Sequence, residues 1–187
     1  MSTQQIIPLT PIRTWPGKAE YVEILGWPFP EHPFFLGQIK RLLQIDIPLR
    51  IMSSYCMAWA YRHPNGNTAG FGSIAVCKDY QQFTDGKLHT YIPLLAVNPA
   101  PDFARRGHGH SIVQHLIAEA VLIAQSARDF LSDILFLDVY VANQPAISLY
   151  DKCSFIALNS TNPILDPQEN NEPYIVMAKK VTVSPAP

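Results

Sequence analysis

Residues 94–109, LLAVNPAPDFARRGHG, run a strand end, a glycine-containing loop and a helix start together. The apolar LLAV meets Asn98-Pro99, and proline neither donates to a ladder nor sits inside a central strand, so pairing must stop or bulge there. Beyond the loop Ile112, Val113, Leu116, Ile117, Ala120, Val121 and Ala124 recur at three- and four-residue spacing, which predicts an amphipathic helix. Strand, loop and helix in this order make an anion site. Gly107 and Gly109 let the backbone approach a ligand, and unpaired N–H groups at the helix start face it with the positive end of the dipole. Arg105 and Arg106 add charge for phosphate oxygens. The competing reading is a helix entered through flexible glycines flanked by solvated arginines.

Upstream, IMSSYCMAWAYR (51–62) and TAGFGSIAV (68–76) read as a hairpin, because the intervening PNGN contains an Asn-Gly pair that supplies the positive φ angles of a tight turn. TYIPLLAV is the next strand. Downstream, ILFLDVYV (134–141) is a strand leading through Ala142, Asn143, Gln144 and Pro145 into a helix AISLYDKC, with proline tolerated in its first turn. FIAL and YIVMAKKV are strands around a polar hairpin loop. Two short helices are expected near residues 18–25 and 35–45, separated by the proline-aromatic stretch GWPFPEHPFF. The order β, α, α, β, β, β, α, β, α, β, β describes a mixed α/β sheet with helices on both faces.

The chain of 187 residues suits one domain, 1–187, with its motifs between about 50 and 180, and with an N-terminal strand and two helices in 1–49. A hydrophobic share of 48% against 16% charged residues is that of a globular protein. Net charge is -1 with scattered basic residues, which disfavours a nucleic-acid partner. Three well-separated cysteines without a C-x-x-C pair argue against a disulfide framework and fit a reducing compartment. The N-terminus lacks a signal-like pattern and no apolar stretch is long enough to span a bilayer, so a soluble, cytoplasmic protein with no membrane partner is expected. A homodimer is compatible with these features.

LLAVNP, then DFARRGHG, then LDVYVANQPAISLYDKCSF resemble, in order, the motif set of the GNAT superfamily of acyl-CoA-dependent N-acyltransferases. The resemblance covers residues 90–155 and extends to the hairpin before them. It implies the GNAT fold, a mixed, mostly antiparallel central sheet with a V-shaped splay between two strands, and acetyl-CoA as cosubstrate with no metal. It further implies that the backbone of Leu95, Ala96 and Val97 holds the acyl and pantetheine portion. Ala104, Arg105, Arg106, Gly107, His108, Gly109 and His110 wrap the pyrophosphate, and Asn143 touches the cofactor. The chain departs from the pattern in three places. Ala104 replaces a glutamine or arginine, two extra residues lengthen the turn after Pro99, and Ser154 replaces a glycine.

Acyl transfer to an amine needs a free lone pair, a held oxyanion and a proton for the leaving thiolate. Tyr150 lies seven residues after Asn143, two helical turns on the same face, and matches the family tyrosine that protonates the thiolate. Its alternative is a core tyrosine with its hydroxyl at the rim. Asp138 interrupts an apolar strand on the face of Phe136 and Tyr140, where related peptide N-terminal acetyltransferases carry a glutamate base. A structural hydrogen bond to a neighbouring strand explains it equally well. His89 and Tyr91 are outside candidates. A backbone N–H of Ala96 or Val97, freed by the break at Asn98-Pro99, would hold the oxyanion. His110 and His115 sit about 140° apart around a helix and do not converge on a metal, and His108 is expected to face solvent or stack near the cofactor. Cys153 is expected to be a buried small residue. The leading function is N-acetyl transfer from acetyl-CoA to a primary amine of a small molecule or peptide, by direct attack in a ternary complex. The alternative is a non-catalytic acyl-CoA-binding module. The aromatic stretch with Trp27, Phe29, His32, Phe34 and Phe35 either walls the acceptor site or packs the helices onto the sheet.

Overall fold

The computed structural model describes residues 8–14, 56–167 and 171–181. Both expected helices of the first fifty residues and the aromatic stretch with Trp27 and Phe34 lie outside these residues. The strands are β1 (Thr10–Thr14), β2 (Cys56–Arg62), β3 (Thr68–Cys77), β4 (Leu88–Val97), β5 (Leu131–Tyr140), β6 (Ile156–Ala157), β7 (Ile164–Asp166) and β8 (Glu172–Lys180). The helices among them are α1 (His108–Ser126) and α2 (Gln144–Lys152). Their hydrogen-bonded order is β1-β2-β3-β4-β5-β8-β6, with β7 also beside β8. The sheet is mixed and mostly antiparallel, as expected, and β4 runs parallel to β5.

The chain divides into two compact units that share β3, β4 and α1. One is built from Leu94–Ile112 and the described residues up to Ser73, the other from Ile74–Pro93 and the described residues from Val113 onward. In the first, Trp59, Phe71, Leu94, Phe103 and Ile112 are buried. In the second, Leu116, Leu135, Phe136, Leu137 and Met177 are wholly covered. The helical periodicity of α1 is thereby explained, since Leu116, Ala120 and Ala124 are buried while Gln114, Ala118 and Gln125 face solvent.

The β2-β3 hairpin forms where expected, with a different turn. Only Gly66 takes a positive φ, at 87°. The Gly66 N–H donates to the His63 carbonyl at 2.8 Å and the His63 N–H to the Asn67 carbonyl at 2.9 Å. That is a three-residue loop closed by a left-handed glycine, one residue longer than the tightest Asn-Gly turn. The segment between β6 and β8 also differs from the expected polar loop, because Ile164, Leu165 and Asp166 pair with Tyr174, Pro173 and Glu172.

The β4-β5 ladder runs from Leu88↔Leu131 to Ile92↔Leu137. The next residue of β4 is Pro93, which has no N–H to give, so the ladder stops where the sequence removes a donor. In the other unit, β4 ends at Val97, and Asn98 follows it as the expected stop. Its N–H donates to the Ala69 carbonyl at 2.9 Å and its side-chain amide to the Thr68 carbonyl at 3.1 Å, tying the strand end to β3.

Gly70 shows how close that approach is. A Cβ placed on Gly70 would lie 2.9 Å from the backbone oxygen of Ala96 and would overlap the Ile112 side chain. Ile112 can rotate, but the Ala96 carbonyl cannot yield without moving β4. Gly70→Ala is therefore expected to lower unfolding free energy by about 1–3 kcal/mol, the usual cost of overpacking. Urea denaturation at unchanged m-value is the measurement, and wild-type stability would show that β4 yields freely.

Candidate functional site

The first site residues lie in one loop. Asn98 Oδ1 accepts the Ala100 N–H at 3.0 Å, and the Phe103 and Ala104 N–H groups both donate to the Ala100 carbonyl at 2.8 Å. The lengthened segment after Pro99 is thus a closed turn that buries Phe103, whose ring centroid is 5.5 Å from that of His63. Immediately afterwards Arg105 takes φ 57° and Gly107 takes φ 81°, with Arg106 between them on the ordinary side. Alternation of right- and left-handed residues turns successive N–H groups into one concavity, an anion nest. The helix start adds its own unpaired donors. From 105 to 110 no backbone N–H finds a carbonyl among the described residues, and the first of α1 to do so is Ser111, which donates to Gly107 at 3.2 Å.

Arg105, Arg106, Gly107 and His110 are exposed around this nest, Ala104 and Gly109 half-buried. Gly109 sits inside α1 without a positive φ, so the glycine that shapes the loop is Gly107 alone. His108 does not face solvent. It is 2% exposed, its ring centroid is 6.1 Å from that of His63 and 6.3 Å from that of Phe103, and its Nδ1 has no partner among the described residues. Burial lowers its pKa, aided by His63 and Arg106, so it stays neutral and contributes no charge to an anion. Ala96 is buried and Leu95 and Val97 are half-buried on β4.

Asn143 and Tyr150 lie on one helix, as their spacing requires. Asn143 is the N-cap of α2, its Oδ1 accepting the Ala146 N–H at 3.3 Å, which fixes the carbonyl and leaves the amide NH2 group directed elsewhere. Tyr150 is buried, its ring centroid 5.8 Å from that of Phe155, and its hydroxyl makes no hydrogen bond to any described residue. Burial, then Cys153, raises its pKa, so the phenol remains protonated. At the helix end the Ser154 N–H donates to the Asp151 carbonyl at 2.9 Å and the Phe155 N–H to the Tyr150 carbonyl at 3.0 Å. This is a Schellman closure with Ser154 at φ 63°, a conformation that explains why a glycine is usual there. Cys153 is buried, as expected.

Asp138 is held from two directions. The Tyr80 hydroxyl lies 2.6 Å from Oδ1 and 2.8 Å from Oδ2, and the Tyr91 hydroxyl donates to Oδ2 at 3.0 Å. Burial raises the Asp138 pKa, the two phenols pull it back down, and Asp79 and Asp166 push it up again. The same face carries Phe136, on which the Tyr80 ring stacks with centroids 5.2 Å apart. His89 is fully buried, edge-on to Phe136 at 4.7 Å, with Nε2 3.2 Å from Cys77 Sγ. Burial lowers its pKa, which makes it a neutral core imidazole. Tyr91, an outside candidate, therefore joins Asp138, whereas His89 turns to Cys77. Tyr80 was not singled out by the sequence. It lies before a short 3-10 turn (Gln81–Phe83), and nothing local marks it as the partner of a residue fifty-eight positions away.

His115 Nε2 lies 3.5 Å from Glu119 Oε1, one helical turn on. Among the described residues, no helix is long and apolar enough to cross a membrane.

The pattern of the acetyltransferase (GNAT) family matches residues 18–155. No curated protein sequence matches the chain. Solved structures with the same fold include NAA60 of Arabidopsis thaliana in complex with acetyl-CoA, 15% identical, covering 92% of this chain and 98% of its own, with a TM-score of 0.60. The spermidine/spermine N-acetyltransferase SpeG of Vibrio cholerae is 13% identical over 96% of this chain and 95% of its own, TM-score 0.58. The ribosomal-protein-S18-alanine N-acetyltransferase of Escherichia coli is 17% identical over 94% and 97%, TM-score 0.54.

Proposed function

Because the chain belongs to the acetyltransferase (GNAT) family, we propose that this acetyl-CoA-dependent N-acetyltransferase acylates a primary amine of a small molecule or peptide by direct attack in a ternary complex. The observation that carries the reading is the run of N–H groups from 105 to 110 that find no carbonyl among the described residues, bent by Arg105 and Gly107 and flanked by two exposed arginines. Such a nest fits a pyrophosphate by main-chain donors and by charge.

The residues of the chain then have separable tasks. Arg105, Arg106 and the main chain of Ala104, Gly107, His108, Gly109 and His110 bind the pyrophosphate, while Leu95, Ala96 and Val97 line the pantetheine. Asn143 offers its amide NH2 group to the cosubstrate. Asp138, directly or through water, takes a proton from the ammonium form of the acceptor, releasing the nitrogen lone pair for attack on the thioester carbon. An N–H of Ala96 or Val97 receives the oxyanion. As the tetrahedral intermediate collapses, the C–S bond breaks and Tyr150 donates to the departing sulfur. The ammonium loses two protons overall, one of which ends on the CoA thiol and the other in solvent. No resident metal enters these steps. One catalytic domain, 1–187, a cytoplasmic location, and the absence of nucleic-acid or membrane partners complete the reading, with a homodimer compatible with it.

The test is incubation of the purified protein with acetyl-CoA and a panel of primary amines, with products identified by mass spectrometry. Spermidine and a peptide with N-terminal alanine head the panel, because they represent the acceptors named for two structural neighbours. An acetylated amine formed in proportion to enzyme is the expected result. Tight acetyl-CoA binding with no product from any amine would favour the non-catalytic binding module.

A further inference from the structure

Asp138 faces more titratable groups than its own strand supplies. Tyr80 and Asp79 approach it from the β3-β4 connection, Tyr91 from β4, Asp166 from β7 and Tyr174 from β8. On β5 itself the neighbour on the same face is Tyr140, which donates instead to Asp166 Oδ2 at 2.9 Å. No lysine or arginine among the described residues forms an ion pair with Asp138. Burial and two further carboxylates all oppose charge on this carboxylate and push its pKa up, toward the protonated form. A protonated carboxyl cannot take a proton from an ammonium.

We propose that Tyr80 is a positioning residue for acyl transfer, its hydroxyl gripping both oxygens of Asp138 so that the carboxylate keeps its charged, proton-accepting form and one fixed orientation. The inference rests on the reading of Asp138 as the base. Its geometry is specific. A single phenol within 2.6 and 2.8 Å of both oxygens shares one proton across the carboxylate edge, while Tyr91 donates to Oδ2 at 3.0 Å. Hydrogen bonds to the ionised form favour ionisation, and the 2.6 Å contact from Tyr80 to Oδ1 has the length of a strong, charge-assisted bond. Oδ1 thereby keeps the freer lone pair, and it is the atom to which the acceptor's proton goes. The Tyr80 ring is held independently of its hydroxyl, by stacking on Phe136 at 5.2 Å with planes 29° apart and by the His89 ring at 5.6 Å. Tyr80→Phe therefore removes the grip while leaving the ring's supports in place.

The experiment titrates the Asp138 carboxyl by 13C NMR in the wild type, Tyr80→Phe and Tyr91→Phe, and measures the pH profile of kcat/KM for the amine found in the acceptor screen. Losing a hydrogen bond to a charged group should raise the carboxyl pKa in Tyr80→Phe by about 1–2 pH units. The acid limb of the rate profile moves up with it, KM for acetyl-CoA stays unchanged, and Tyr91→Phe moves the titration less. A carboxyl titration that stays at the wild-type value in Tyr80→Phe, or moves equally in Tyr91→Phe, overturns the assignment to Tyr80. Asp138→Asn separates the two layers of the argument. Full turnover in that variant removes Asp138, and with it Tyr80, from catalysis. Lost turnover in Asp138→Asn beside an unmoved acid limb in Tyr80→Phe overturns Tyr80 alone.

Discussion

Replacing Arg105 and Arg106 together by alanine is expected to weaken acetyl-CoA binding by about 100-fold, on the order of tenfold for each lost charge-assisted contact to phosphate. The loss is large because both arginines are exposed at one small concavity, and because their removal leaves neutral main-chain donors of this loop facing a doubly charged diphosphate. It is not total, because the N–H groups from 105 to 110 belong to the main chain and survive the substitution. Both arginines are exposed, so their contribution should shrink as ionic strength rises, whereas the main-chain contribution should persist. Calorimetric titration at low and at high salt resolves the two parts. The wild type and the variant should converge as salt increases. Equal affinities at low salt would mean that the diphosphate lies elsewhere and that the loop is only a helix entrance.

How much of this was legible in the sequence follows the range over which each feature is determined. The helix α1, the hairpin and the strand end at Asn98 are local patterns, and each appears where periodicity, Asn-Gly or proline requires it. The spacing of Asn143 and Tyr150 is equally local, since an N-cap and a residue two turns later share a helix by construction. Backbone handedness was less visible. An arginine at φ 57° is dictated by the closed turn before it and the helix after it, and neither fact is carried by Arg105 itself. His108 illustrates the limit for side chains. A polar residue between two glycines reads as facing solvent or stacking near a cofactor; the first alternative fails because the turn that buries Phe103 brings His63 against it, a contact that joins residues forty-five positions apart. Tyr80 lies further out of reach, because its partner Asp138 belongs to a strand that only the assembled sheet brings near. Asp138 could be noticed as an oddity within an apolar strand, while what holds it could not.

Replacing Tyr150 by phenylalanine is expected to lower kcat about 100-fold, close to the effect of removing one preorganised donor, while acetyl-CoA affinity and stability stay at wild-type values. The stability part follows from the structure. The Tyr150 hydroxyl makes no hydrogen bond to any described residue, so its loss breaks no contact among them, and the ring keeps its place against Phe155. A tyrosine whose hydroxyl served the fold would lose stability when truncated. The size of the effect on turnover follows from acidity. Burial holds the Tyr150 phenol above its ordinary value of 10.0, whereas an alkyl thiol titrates near ~8.5. Complete proton transfer from this phenol to a thiolate is therefore uphill by at least ~2 kcal/mol, at ~1.4 kcal/mol per pH unit. Tyr150 does its work as a hydrogen-bond donor that keeps its own proton while negative charge builds on sulfur, and the thiolate takes its final proton from solvent, into which the ammonium has released its two. Because the phenol stays protonated well beyond neutrality, the rate should show no alkaline fall attributable to it below about pH 10. Steady-state kinetics across pH 6–10 in the wild type and Tyr150→Phe, with a melting curve for each, decides the matter. A variant with wild-type kcat removes Tyr150 from the chemistry, and a variant that melts early assigns its hydroxyl to the fold.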